Sequence, residues 1–241
     1  MQRSACGTDK GKLRKINEDS MLCIEPLNFY MLADGVGGHN SGEVASKLAV
    51  DLTEAYLLSE SPDSIKDPDI PEYFHRCLEY VNEEIYGRAT KIKENAGMAT
   101  TAVMLLLRPG KAYIVNVGDS RAYLYRKKQL IRITEDHTYV NELLKQGSIS
   151  MAEAEAHPKK NMITRALGSE ANIMPDFYRL DVTAGDRILL CTDGLYNEIG
   201  EEDIRALMES KTDLGELVGT LIKSACDNGG KDNITVNCVE I

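Results

Sequence analysis

Apolar residues recur along this chain in two rhythms, one of helical period and one of short unbroken runs. Residues 41 to 57 place Val44, Leu48, Leu52 and Tyr56 at steps of four behind Ser41, and residues 71 to 86 open on Pro71 and stripe Phe74, Leu78, Val81 and Ile85. Each set falls on one helical face, with Ser41 as the expected cap of the first, so both helices should pack on a sheet. The short runs supply that sheet. "SMLCIEP" and "NFYMLAD" precede the helices, and "ATTAVMLLL", "KAYIVNV", "RAYLYR" and "QLIRI" follow them, separated by only two to four residues. Such connections permit hairpins, whereas parallel crossovers take a dozen or more residues, so an antiparallel sheet is predicted.

Beyond a polar, mixed segment from about 134 to 176 the pattern resumes. "FYRLDV" and "DRILLCTDG" read as strands, 201–210 and 214–226 as helices, and "NITVNCVEI" as a closing strand; Leu214, Leu217, Val218, Leu221, Ile222 and Ala225 form one apolar stripe. One-sided helices around antiparallel strands predict an α+β layered sandwich. No internal repeat, low-complexity tract or long linker interrupts it, so one domain over residues 1–241 is expected.

Composition narrows the picture. At 241 residues and 43% hydrophobic, the chain can bury a sizeable core. Its longest strong apolar run, "AVMLLL", falls far short of the roughly 18 residues of a membrane helix, and "MQRSACGTDKGKLRK" is too polar for a secretory leader. A cytoplasmic chain without membrane contact is expected. A net charge of -10 argues against nucleic acid as a partner. The basic start, with Arg3, Lys10, Lys12, Arg14 and Lys15 against Asp9 alone before residue 18, reads as a solvated face. Six cysteines without a C-x-x-C pair read as buried reduced thiols.

Candidate chemistry lies at the ends of strands. "YMLADG" ends at Asp34, "VNVGDS" at Asp119 and "LLCTDG" at Asp193, while "GGKDN" puts Asp232 where the last strand begins. Each aspartate adjoins a Gly, Ser or Asn that lets the backbone turn or approach a ligand closely. If the four converge, mutual repulsion demands cations, and a set of hard oxygen donors without imidazole or thiolate selects magnesium or manganese over zinc. The Gly35 carbonyl can join such a set, and the small neighbours leave room for water. In "GKLRKINEDS", Arg14 suits bidentate contact with phosphate, and Glu18 and Asp19 suit acceptance of hydrogen bonds from metal-bound water; a surface salt bridge explains these three equally well.

Other chemistries lack their signatures. "GTDKGK" has one residue too few and no preceding strand for a phosphate-binding loop, no cysteine has an arginine six residues on, and no G-x-S-x-G surrounds Ser120. His39, His75, His137 and His157 form no H-x-x-x-H pair.

Taken in order, "RKINED", "LADGVGGHNSGEVAS", "ATTAV", "VNVGDSRAYLYR", "DHTYVNELLKQG", "NMITRALG", "LLCTDGLYN" and "GKDNITV" resemble the bacterial branch of the metal-dependent protein serine/threonine phosphatases, the 2C class, over nearly the whole chain. The resemblance implies an αββα sandwich of two antiparallel sheets flanked by helix pairs. It implies that Asp34 bridges two Mg2+ or Mn2+ ions, with the Gly35 carbonyl on the first, Asp193 and Asp232 on the second, and Asp119 with Asp193 on a third. Glu18 and Asp19 would hold metal-bound waters, and Arg14 would grip the substrate phosphate. Hydroxide shared by the ions would attack phosphorus in line without a covalent phosphoenzyme. Animal relatives read D-G-H where this chain reads Asp34-Gly35-Val36, so the histidine proposed there as general acid is missing; His39 and a water on the third ion are the alternatives. Residues 141–168 resemble the flap that bacterial members place beside the site. Phosphoprotein substrates, an opposing Ser/Thr kinase and a monomeric state are expected; a hydrolase of small phosphoesters and a noncatalytic domain of the same fold are the rival readings.

Overall fold

The computed structural model describes residues 3–37, 41–210 and 212–241. Along the chain lie β1 (Arg3–Asp9), β2 (Asp19–Ile24), β3 (Phe29–Val36), α1 (Gly42–Ser59), α2 (Ile70–Lys91), β4 (Ala99–Thr100), β5 (Ala102–Arg108), β6 (Lys111–Val117), β7 (Arg121–Arg126) and β8 (Gln129–Arg132). Then come α3 (Tyr139–Lys145), α4 (Met151–Ala156), β9 (Asp176–Asp181), β10 (Arg187–Cys191), α5 (Asp193–Tyr196), α6 (Glu201–Met208), α7 (Leu214–Asp227) and β11 (Ile234–Glu240). Two antiparallel sheets result, one ordered β1-β11-β10-β7-β8 and the other β2-β3-β5-β6-β9, with β4 paired to β3.

Alternation along each strand divides the apolar side chains into three layers. Phe29, Met31 and Ala33 of β3 pack with Leu57, Phe74, Leu78, Val81 and Ile85 of α1 and α2. On the opposite outer face, Tyr123, Leu189, Cys191, Val236 and Cys238 meet Leu217, Val218 and Leu221 of α7. Tyr30, Leu32, Val103, Ile114, Leu124, Ile188, Leu190 and Val239 fill the space between the sheets. This is the expected four-layer α+β sandwich. Among the described residues no helix is long and apolar enough to cross a membrane.

Three local expectations are corrected. The start of the chain is no mere solvated face: Arg3–Asp9 pairs antiparallel with β11 as an edge strand. The run from 99 to 133 is not all hairpins. β5–β6 and β7–β8 are, but Gly118–Ser120 carries the chain from one sheet to the other, turning on Gly118 at a φ of 107° that favours glycine. The Ser41 side chain does not cap α1; its hydroxyl donates to the Glu94 carbonyl at 2.9 Å. All six cysteines are free, as expected, although Cys6 is exposed and Cys23 and Cys226 are only partly buried.

Candidate metal centre

The inner layer is apolar along most of its length and turns polar at one end. On β3 the inner register Tyr30, Leu32 continues to Asp34; on β10 Ile188, Leu190 continues to Thr192; on β2 Cys23, Met21 lead back to Asp19. Asp19 and Asp34 are direct partners in the β2–β3 register. The Gly118–Ser120 crossing brings Asp119 to the same end, Asp193 opens α5 where β10 stops, and Asp232 stands just before β11.

The predicted residues converge. Arg14, Glu18, Asp34, Gly35, Asp119, Asp193 and Asp232 line one cavity of about 300 Å³, together with Val36, Gly37, Asn161, Ile163 and Asn233. No trio of His, Cys, Asp or Glu among the described residues is drawn into a closed ligand cluster; the acids stand around the wall instead. Asp19 lies behind that wall, buried, with Oδ2 accepting from the hydroxyls of Thr192 (2.9 Å) and Thr235 (2.6 Å) and Oδ1 left without a partner. His39 lies outside the described residues.

The cavity concentrates negative charge around one cation. Burial, then the neighbouring Asp19, Asp193, Asp119 and Asp232, push Asp34 well above the carboxylate range. Burial and Asp193 raise Asp119 to about 8, and burial and Asp232 raise Asp193 to about 6. Burial lifts Asp19 to about 7 against its two threonine hydrogen bonds, and it lifts Glu18 despite Arg14. Arg14 is the only basic side chain lining the cavity among the described residues. Its Nη2 meets Asp232 Oδ2 at 2.6 Å and its Nη1 lies 3.7 Å from Glu18 Oε2.

Several positioning contacts escaped the sequence reading. Asp34 is held by the "ATT" stretch: its N–H donates to Thr101 Oγ1, and its carbonyl accepts from the Thr100 hydroxyl and the Thr101 N–H, all at 2.9 Å. Asn233, read as a turn residue, is a staple. Its Oδ1 accepts from the Glu18 N–H (2.8 Å), and its Nδ2 donates to the carbonyls of Lys10 (2.9 Å) and Ile16 (3.0 Å), fixing the segment that carries Arg14. Gly35 is small for a reason besides room for water: a Cβ there would stand 2.1 Å from the Gly42 carbonyl oxygen, where α1 begins. His137 supports the Asp119 crossing, its Nδ1 accepting from the Gly118 N–H at 3.1 Å while Nε2 faces Asp176 Oδ2 at 3.2 Å. Burial holds this imidazole below its ordinary value despite Asp176. From the 141–168 segment, Asn161 and Ile163 reach the cavity wall, and Ile163 bridges Thr138.

Comparison with known proteins agrees with this geometry. A family model described as protein phosphatase 2C matches residues 6–223. The serine/threonine phosphatase stp of Listeria monocytogenes is 38% identical over 97% of this chain and 93% of its own length. Among solved structures, the serine/threonine phosphatase of S. agalactiae is 31% identical with a TM-score of 0.93, covering 100% of both chains. The catalytic domain of the serine/threonine protein phosphatase PstP, solved in complex with two manganese ions, is 33% identical with a TM-score of 0.86, covering 99% of this chain and 97% of that one.

Proposed function

We propose that this chain, which belongs to the protein phosphatase 2C family and is a serine/threonine phosphatase, hydrolyses phosphoserine and phosphothreonine in proteins at the acid-lined cavity, by direct attack of water on phosphorus and with divalent cations as cofactors. The residues fit such ions. The donors are hard oxygens, the Asp19 Oδ1 atom is buried without a partner, and the raised proton affinities of Asp34, Asp119 and Asp193 mark a deficit of positive charge. Asp34, the Gly35 carbonyl, Asp193 and Asp232 would hold two ions, and Asp119 with Asp193 a third; the manganese in the PstP domain supports Mg2+ or Mn2+ as the type. Divalent ions bound there supply acidification of water and neutralisation of charge on the phosphoryl oxygens.

The chain's own groups do the rest. Arg14, at the rim and half-exposed, offers its planar fork to two phosphate oxygens and orients phosphorus for in-line attack. Asp19, fixed by Thr192 and Thr235, and Glu18, fixed through Asn233, accept hydrogen bonds that aim the water. With the carboxylates committed to cations and no Ser, Thr, Cys or His side chain lining the cavity among the described residues, the phosphoryl group passes directly to water without a covalent phosphoenzyme. The chain would thereby oppose a Ser/Thr protein kinase.

The observation that carries this reading is the convergence of five acids on a cavity with one cation. The test compares a phosphothreonine peptide with a sugar phosphate, each in Mn2+ and in chelator. Peptide turnover that vanishes in chelator and exceeds sugar phosphate turnover is expected. Undiminished turnover in chelator would remove the cations from the proposal, and preferred sugar phosphate would favour the small-phosphoester reading.

A further inference from the structure

Partway along the inter-sheet seam from the acids, two thiols flank one asparagine at the edges of the two sheets. Cys6 of β1 pairs in register with Asn237 of β11, and the next inward pair, Thr8 and Thr235, touch through their hydroxyls at 2.8 Å. Strand alternation therefore puts Cys6 and Asn237 on the inner face as well. The Asn237 amide Nδ2 donates to Cys23 Sγ of β2 at 3.6 Å, so Cys23 reaches the side chain beside Cys6. Cα atoms of β2 and β11 approach within 8 Å, closer than the usual separation of about 10 Å between packed sheets. Cys6 is exposed and Cys23 partly buried, whereas Cys77, Cys191 and Cys238 are buried in the outer layers.

We propose that Cys6 and Cys23 form an oxidisable dithiol, at which hydrogen peroxide produces a disulfide joining the edge strands of the two sheets. The Cys6 thiolate attacks the peroxide: an S–O bond forms, the O–O bond breaks, and water leaves once the departing oxygen is protonated. Cys23 then attacks the Cys6 sulfur, forming S–S and breaking S–O, and a second water departs. Two thiols and one peroxide give one disulfide and two waters, with sulfur oxidised and oxygen reduced. The division of labour follows from the surroundings. The hydrogen bond from Cys23, outweighing burial and Glu25, lowers Cys6 to about 7, which gives the exposed partner thiolate at neutral pH. Cys23 is pushed up by that same bond and by burial, which keeps it protonated until oxidation of the Cys6 thiolate removes the bond and frees Cys23 to ionise for the second step.

Peroxide treatment followed by peptide mapping without reductant tests the assignment. A crosslinked pair of peptides containing Cys6 and Cys23, abolished in Cys6→Ser and in Cys23→Ser, retained in Cys226→Ser and reversed by dithiothreitol, is expected. Neither residue belongs to the cavity, so both reduced serine variants should keep the wild-type rate on phosphopeptide. Crosslinks between two molecules through Cys6, irreversible oxidation of Cys6 with Cys23 still reduced, or no loss of thiols under peroxide would each overturn it.

Discussion

Strand β10 has an aspartate beyond each end, Asp186 before it and Asp193 after it, and the two meet opposite surroundings. Asp186, 2% exposed, is gripped by Arg126 through Nε at 2.8 Å and Nη2 at 2.5 Å, and accepts from the Thr183 N–H at 2.7 Å. Burial pushes its carboxyl up, but the guanidinium and the amide outweigh burial and hold it below the ordinary range. Asp193 shares its cavity with Asp232, Asp34 and Asp119 instead, and burial, then Asp232, drive it up to about 6. At one end of the sandwich the fold satisfies a buried charge from its own chain. At the other it gathers charges and leaves them short of cations, an arrangement that stability alone does not explain.

The largest effect should come from the unsatisfied end. Asp193→Asn should lower Mn2+-dependent phosphopeptide turnover by about 1,000-fold, the scale of losing a principal electrostatic contact in a transition state, while the melting temperature stays level or rises. Steady-state kinetics beside calorimetry check this, and a normal rate would break the comparison. The satisfied end should answer in the other currency. Arg126→Ala strands a buried carboxylate and should cost roughly 2 kcal/mol of stability, less than the 3–5 typical of fully buried pairs because the guanidinium is 33% exposed. Turnover should be unchanged, as urea unfolding with parallel assays would reveal.

The smallest effect is in pH. Asp193, Asp19 and Asp119 have folded values of about 6, 7 and 8, above the unfolded value near 4, and Asp34 lies well above it too. Their contribution is complete below about 4 and lost as pH climbs through 6 to 8, so chelated protein should melt lower as pH rises over that window. Asp186, depressed, contributes above about 4 and loses it only on acidification. Excess Mn2+ should flatten the alkaline decline; a chelated melting temperature that rises with pH would contradict the unsatisfied cluster.

The sequence made the apolar side of this architecture legible and left its polar joinery hidden. Helices α1 and α2 are announced by Leu48, Leu52, Phe74 and Leu78 because burial of one face imposes a period on one segment. β1 carries no such mark, since "RSACGTD" is an edge strand with one partner and mixed exposure. The four acidic strand ends are visible because each is local. The contacts that frame the cavity are not: Thr192 and Thr235 on Asp19, or Asn233 on Lys10 and Ile16, join residues far apart in sequence. His137 is likewise silent, its work being done on a backbone amide 19 positions away.

The Asn233 staple spans 223 positions to Lys10, and among the described residues β1 finds its one strand partner in β11. A ribosome releases Arg14 long before Asp232, so during synthesis the segment carrying Arg14 waits without the residues that hold it. A nascent chain that ends before residue 232 lacks Asp232 and Asn233 of the cavity wall and β11, the strand between β1 and β10. The cavity wall is therefore closed from both ends of the described chain, and Arg14 meets its acidic partner only after 218 further residues have been made.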